Sequence, residues 1–192
     1  MTSRRHGAAG IVHANAFTIF GGYEYGESGK LRSTEIISEE GQVSPGPEMP
    51  LPVYRHVVAC VNGTTSILTG GSTNANVHSP LTWYSNHVSQ EFQPGPPLIT
   101  GRYGHASATI QDQQNKEDIV AVVGGYNNKN GGYLDSTELL INREWIQGKI
   151  ILNHKWPCLL FFCMWPHFFL IENIISNFFF VLVFRSTDAK KN

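Results

Sequence analysis

The sequence predicts an all-β chain of antiparallel meander blades that gives way to a separate apolar C-terminal tail. Three observations carry this reading. All 19 glycines fall between Gly7 and Gly148, and the final 44 residues contain none. Paired glycines recur at Gly21-Gly22, Gly70-Gly71 and Gly124-Gly125, with spacings of 49 and 54 residues, a period that marks repeat architectures. Short runs of Val, Ile, Thr and aromatic residues alternate with Gly, Pro and Asn turns, and no long helical period interrupts them.

Each element follows from the local sequence. The segments RHGAAGIV, RHVVACV and GHASATI are first-strand candidates and set His6, His56 and His105 in one slot. The apolar runs Ala16–Phe20, Thr65–Thr69 and Ile119–Val123 are second strands that stop at the glycine pairs. Glycine there permits a positive φ or a close backbone approach as the chain leaves an inner strand. Polar loops follow at 23–32, 72–80 and 126–135, and third strands at Thr34–Ile37, Thr82–Ser85 and Thr137–Ile141. The first and last of these third strands open on matching triplets, Ser33-Thr34-Glu35 and Ser136-Thr137-Glu138. A bulky residue then precedes a glycine by three positions: Val43 and Gly46, Phe92 and Gly95, Trp145 and Gly148. The proline-rich GPEMPLP and GPPL suit extended connections, because proline has no N–H to offer a ladder. These landmarks place the start of the chain in mid-blade and end the last blade after its third strand, giving about 2.5–3 blades within residues 1–148.

This pattern resembles kelch repeats. In that family a glycine pair closes the second strand, a tyrosine often follows it, and a tryptophan comes about twenty residues later. Here Tyr23 and Tyr126 follow their pairs while Ser72 takes that place in the middle repeat. Trp145 fills the tryptophan slot, and Phe92 and Val43 replace it elsewhere. The family's Arg-x-x-His approach is clearest at Arg102 and His105; His56 matches His105, but Val53 stands in place of Arg102 and Arg55 is displaced. The resemblance covers residues 4–148 and implies part of a β-propeller, whose blades pack radially and leave only short protected edges. Because propellers hold four to eight blades, it further implies a fragment of a longer protein, or an open array that a partner completes.

The function the resemblance implies is a non-catalytic protein-interaction scaffold with an unidentified protein partner. Loops from adjacent blades would present contacts, and Tyr23, Tyr25, Tyr126 and Tyr133 offer aromatic area at low rotamer cost. Arg102 is read as part of an interblade network in preference to a contact for an acidic partner. Kelch proteins recruit substrates to ubiquitin ligases or organise actin assemblies, and neither narrower role carries over without an F-box or BTB pattern. The alternatives are a nonfunctional truncated product or the remnant of a propeller enzyme such as a copper oxidase. Copper would need converging Tyr and His ligands, whereas Tyr23, Tyr103 and Tyr126 read as packing or loop residues.

No catalytic residue, cofactor or metal is expected. The eight histidines form no zinc-type spacing, and His6, His56 and His105 recur because the blade recurs, which suits a structural hydrogen bond. Gly26-Glu27-Ser28-Gly29-Lys30 superficially resembles a phosphate loop, yet Leu31 follows where Ser or Thr is required, and the glycine that should precede Gly29 with four residues between them is absent. A net charge of −1 gives no basic footprint for nucleic acid. Three cysteines make no disulfide framework, and no leader pattern opens the chain, so a cytoplasmic location is expected.

The tail, residues 149–192, abandons every landmark. From Leu159 to Phe184, 20 of 26 residues are apolar, long enough to span a bilayer. Pro166, His167, Glu172, Asn173 and Asn177 oppose that placement. Membrane contact through this segment is therefore not favoured over an aberrant extension.

Overall fold

A computed structural model describes residues 2–13, 15–26, 29–73, 78–111, 118–130 and 132–148. The tail, with its Leu159 to Phe184 stretch, lies outside the described residues, as do Glu27 and Ser28 of the phosphate-loop look-alike.

Strand β1 (Ala9–His13) pairs with β2 (Ala16–Phe20); after a ribbon of β3 (Tyr23–Glu24) and β4 (Gly29–Lys30), β5 (Thr34–Ile37) and β6 (Val43–Pro45) complete the first sheet. The chain continues through β7 (Val53–Tyr54), β8 (Val57–Asn62), β9 (Thr65–Thr69), β10 (Ser72–Thr73), β11 (Thr82–Asn86) and β12 (Glu91–Pro94). Then come β13 (Ala106–Gln111), β14 (Asp118–Val123), β15 (Tyr126–Asn127), β16 (Gly132–Tyr133), β17 (Thr137–Ile141) and β18 (Glu144–Gly148). Every pairing is antiparallel, and the sheets β1-β2-β5-β6, β8-β9-β11-β12 and β13-β14-β17-β18 are three equivalent four-stranded blades. No α-helix occurs among the described residues, and none there is long and apolar enough to cross a membrane.

The structure differs from the sequence landmarks in two places. The first unit does not start in mid-blade and the last does not stop after its third strand: β1 and β18 supply the outstanding strands, so three whole blades are present. His6 does not share the slot of His56 and His105. It bridges Tyr23, as Tyr54 pairs with Ser72 and Tyr103 bridges Tyr126, which makes His6 the equivalent of the two tyrosines and puts Ala8 in the histidine slot. The backbone agrees, since Gly7, Arg55 and Gly104 follow these three residues with φ of 60°, 56° and 62°. Matching Arg5-His6 to Arg55-His56 by identity shifts the register by two residues.

The first two glycine pairs are joints between neighbouring blades. At Gly70-Gly71 both φ values are positive, 63° and 92°. A Cβ on Gly71 would lie 2.8 Å from Cβ of His56 and against Val53, and its N–H donates to the Arg102 carbonyl of the next blade at 2.8 Å. Gly22 makes the same bond to the Val53 carbonyl at 2.9 Å. Only glycine meets both demands, a left-handed backbone and close approach on either side.

Apolar faces pack between the blades. Phe20, Met49 and Leu68 are buried together at the first joint, with Ile11, Val58 and Phe92 around them. Ala59, Ile67, Leu98, Val120, Val122, Leu140 and Trp145 fill the second. Met49 and Leu98 belong to the crossovers, which Thr34 and Thr82 hold by donating hydroxyls to the carbonyls of Pro47 (2.6 Å) and Pro96 (2.7 Å). Trp145 adds an indole N–H to Pro96 O at 2.9 Å. In the same interior His105 Nε2 meets Thr69 Oγ1 at 2.9 Å. His56 faces the corresponding position in the first blade, which Phe20 occupies, and neither of its ring nitrogens has a partner among the described residues. Burial lowers the His56 pKa to about 4. Burial, assisted by the charge of Arg102, takes His105 to about 3.

Candidate interaction face

At the end of the blades where the glycine pairs lie, the positions after the crossovers converge with the ribbons β3/β4, β7/β10 and β15/β16. What the crossovers hold inside fixes what they display outside. In blade three the Arg102 guanidinium donates to the carbonyls of Gly124 (2.7 Å) and Ser136 (3.1 Å), to Ser136 Oγ (3.0 Å) and to Glu138 Oε1 (2.6 Å). Glu138 also accepts the N–H groups of Ile99 at 2.7 Å and Thr100 at 3.0 Å, and both side chains are fully buried. Blade one repeats the arrangement with Arg5, Gly21, Ser33 and Glu35, where the ion pair is again 2.6 Å and Thr2 and Ser3 supply the N–H groups. Burial alone would raise the Glu35 pKa, but bonds from Thr2 and Ser3 and the charge of Arg5 hold it below its usual value. Arg102 therefore sits in the interior, not on the exposed face.

Blade two lacks this clasp. Val53 replaces the arginine, Leu81 the serine and Trp83 the glutamate, with Trp83 opposite Leu68 as Glu138 is opposite Val122. Pro50 stands where Ile99 donates, so one of the N–H groups that needs a carboxylate is gone.

Outside, a line of rings crosses all three blades. His6 stacks on Tyr25 with centroids 4.8 Å apart, and Tyr23 and Tyr54 pack edge-on against His6 at 5.3 and 5.6 Å. The Arg55 guanidinium lies 5.0 Å from the Tyr54 ring and 5.8 Å from the Tyr103 ring, which joins blade two to blade three. Tyr103 continues to His78 (4.7 Å) and Tyr126 (5.5 Å), and Tyr126 to Tyr133 (5.1 Å). Such edge-on and cation–π contacts fix ring orientation. Tyr25 is 83% exposed and Tyr133 54%. Lys30, its pKa lowered by burial, ties the first ribbon to the second by donating to Ser72 Oγ and the Thr73 carbonyl. His78 Nδ1 accepts the Asn128 N–H at 3.2 Å and ties the second to the third.

The structure thus brings Tyr23, Tyr25, Tyr126 and Tyr133 to one face. His6, Tyr54, Arg55, His78 and Tyr103, which the sequence reading did not select as contacts, complete it. The signal for three of them is an aromatic ring three residues before each first strand: His6, Tyr54 and Tyr103. Gly21, Gly22, Gly70, Gly71, Gly124 and Gly125 end the second strands behind this face, and Trp145, His56 and His105 are buried in the interior. Among the described residues no three His, Cys, Asp or Glu side chains gather as a metal site.

Two curated proteins are similar to this chain. Kelch-like protein 25 of Xenopus tropicalis is 25% identical over 115 residues, 60% of this chain and 18% of that protein. Kelch-like protein 25 of Xenopus laevis is 27% identical over 85 residues, 44% of this chain and 13% of that protein. The repeats are kelch-like. This kelch-like chain spans less than a fifth of the length of either relative, and no protein-family model matches it.

Proposed function

We propose that the kelch-like blades form a non-catalytic module that recognises a protein through the aromatic face. The carrying observation is the unbroken line of rings from Tyr25 through Arg55 to Tyr133, contributed by three blades and oriented by mutual packing. Rigid amphipathic rings flanking a guanidinium give large contact area with little rotamer entropy to lose, the composition enriched at protein-binding hot spots. His56 and His105, which recur with the blade, are buried, which suits a structural role.

Photocrosslinking tests the reading. Photoreactive residues at Tyr25 and Tyr133 should capture a common protein that one placed at Val88, 75% exposed in the turn at the opposite end of blade two, does not. Binding of the captured protein should then fall at least tenfold with Arg55→Glu. Equal capture from all three positions, or indifference to Arg55→Glu, overturns it.

A further inference from the structure

Blade two holds a cleft where its neighbours hold their ionic clasps. Pro50, Leu51 and Val53 align with Ile99, Thr100 and Arg102, and Gly70, Leu81 and Trp83 with Gly124, Ser136 and Glu138. All six of these blade-two residues line one recess, with His56 inside it and Met49, Leu68 and Phe92 on the side of the first joint. Phe92 is itself fixed edge-on to Phe20, with centroids 6.3 Å apart. The enclosed part of the recess is about 20 Å³, more than one water needs. Counted out to its open side the free space is about 370 Å³, the size of a small-ligand cleft. Leu81, 44% exposed, stands at the rim.

The polar groups of this recess lack the partners that their counterparts have. In blades one and three the guanidinium donates to two backbone carbonyls, Gly21 and Ser33 in one and Gly124 and Ser136 in the other. The same positions in blade two are the carbonyls of Gly70 and Leu81. Leu81 keeps the bond from the Gly70 N–H, as Ser136 keeps that from Gly124, but Val53 brings no donor in place of the guanidinium. His56 is 4% exposed, and both its ring nitrogens are without a partner among the described residues, whereas Nε2 of His105 meets Thr69. Unpaired polar groups in such a place are costly, and a ligand that pairs them recovers that cost. No lining residue is charged at neutral pH, so a charged ligand would be buried there without a counter-ion.

We propose that this cleft binds a neutral aromatic ring carrying one N–H or O–H, with the ring against Trp83 and Phe92 and the polar tip in the recess at His56 and the vacated carbonyls. Each part of the ligand answers a part of the site. The carbonyls and one nitrogen of a neutral imidazole accept hydrogen bonds, so the tip must donate. The walls are aromatic rings, aliphatic side chains and the Met49 thioether, which favour a flat ring over a flexible chain. The enclosed space admits the tip, and the wider space toward Leu81 admits the ring. No residue of the aromatic face lines the cleft, so the inference is independent of what that face binds. A free small molecule and a Trp or Tyr side chain of another protein supply the same chemistry.

Calorimetric titration of the full chain with indole, phenol, toluene and benzoate tests it. Indole and phenol should bind, and toluene, without a donor, and benzoate, with a charge, should bind about tenfold more weakly or not at all. His56→Phe should weaken indole and phenol about tenfold and leave toluene unchanged. Leu81→Trp, made at the exposed rim and away from the interior, should block every ligand while the unfolding midpoint stays where it was. Displacement of indole by a capped tryptophan peptide assigns the ring to a protein side chain, and failure to displace it assigns the ring to a free molecule; either result upholds the cleft. The proposal is overturned if indole and phenol do not bind, the result expected of a cleft that takes water alone. It is equally overturned if toluene binds as tightly as phenol, or if binding survives Leu81→Trp.

Discussion

Val53 stands in blade two where Arg102 stands in blade three, and each governs the charge of the site around it. Arg102 meets Glu138 at 2.6 Å with neither side chain reaching solvent, whereas Val53 packs in an apolar cleft with Leu81 and Trp83. One backbone geometry is thus stabilised by an ionic clasp in two blades and by apolar contact in the third.

Removing half of the clasp leaves a buried charge without its partner, which costs about 3–5 kcal/mol. Arg102→Val should destabilise the chain by that amount in chemical denaturation. Adding Glu138→Trp and Ile99→Pro, to reproduce blade two, should recover at least half of the loss. A triple variant less stable than Arg102→Val would show that the apolar solution depends on blade two's other neighbours.

Acid should weaken the fold before its carboxylates titrate. His56 and His105 drop from 6.5 to about 4 and about 3 on folding, so below pH 6.5 the unfolded chain binds protons that the folded chain refuses. Stability is complete above that pH and falls as pH falls toward 4, by up to about 1.4 kcal/mol per unit for each histidine. His87, lowered by burial and by the neighbouring charge of His13, adds in the same direction. Denaturation midpoints between pH 7 and 5 should show this slope, and His105→Gln should reduce it by about one proton.

Glycine substitutions should separate into two classes. Gly71→Ala combines a φ of 92° with a Cβ pressed on His56, so left-handed strain and overpacking together should cost about 2–4 kcal/mol. Gly63→Ala has an ordinary φ and open space around it and should stay within about 0.5 kcal/mol of the parent. Thermal unfolding of the two variants side by side gives the comparison.

The exposed rings should be dispensable to stability. Tyr25→Ser and Tyr133→Ser should each shift unfolding by less than about 0.5 kcal/mol, while Trp145→Ala, which empties a joint and deletes the bond to Pro96, should cost about 3–5 kcal/mol. Loss of stability in the tyrosine variants would make them structural and remove them from the recognition face.

Much of the fold is legible in the sequence because glycine pairs, strands and bulky residues each follow steric rules that act locally. The second strands and two of the three third strands fall where apolar runs and glycine stops place them. His6 is misplaced because adjacent Arg-His dipeptides outweigh backbone geometry that only a φ value reveals. The Arg5–Glu35 and Arg102–Glu138 clasps are half legible: the matching Ser-Thr-Glu triplets mark the acids, but the bases lie 30 and 36 residues upstream, a separation set by hairpin length and not by any local period. The aromatic face is hidden for the same reason. Its rings come from loops and ribbons of different blades, and only the folded backbone puts them in contact.

The displaced cation of the middle blade has a consequence for how the chain can change. In blades one and three the segment leading into the first strand cannot vary freely, because its arginine is committed to an acid buried in its own sheet. The middle blade has relocated that guanidinium by two positions, to Arg55 at a φ of 56° on the surface. Its crossover can therefore exchange residues without stranding a buried charge, and the middle blade is where new binding preferences could arise at least risk to the architecture.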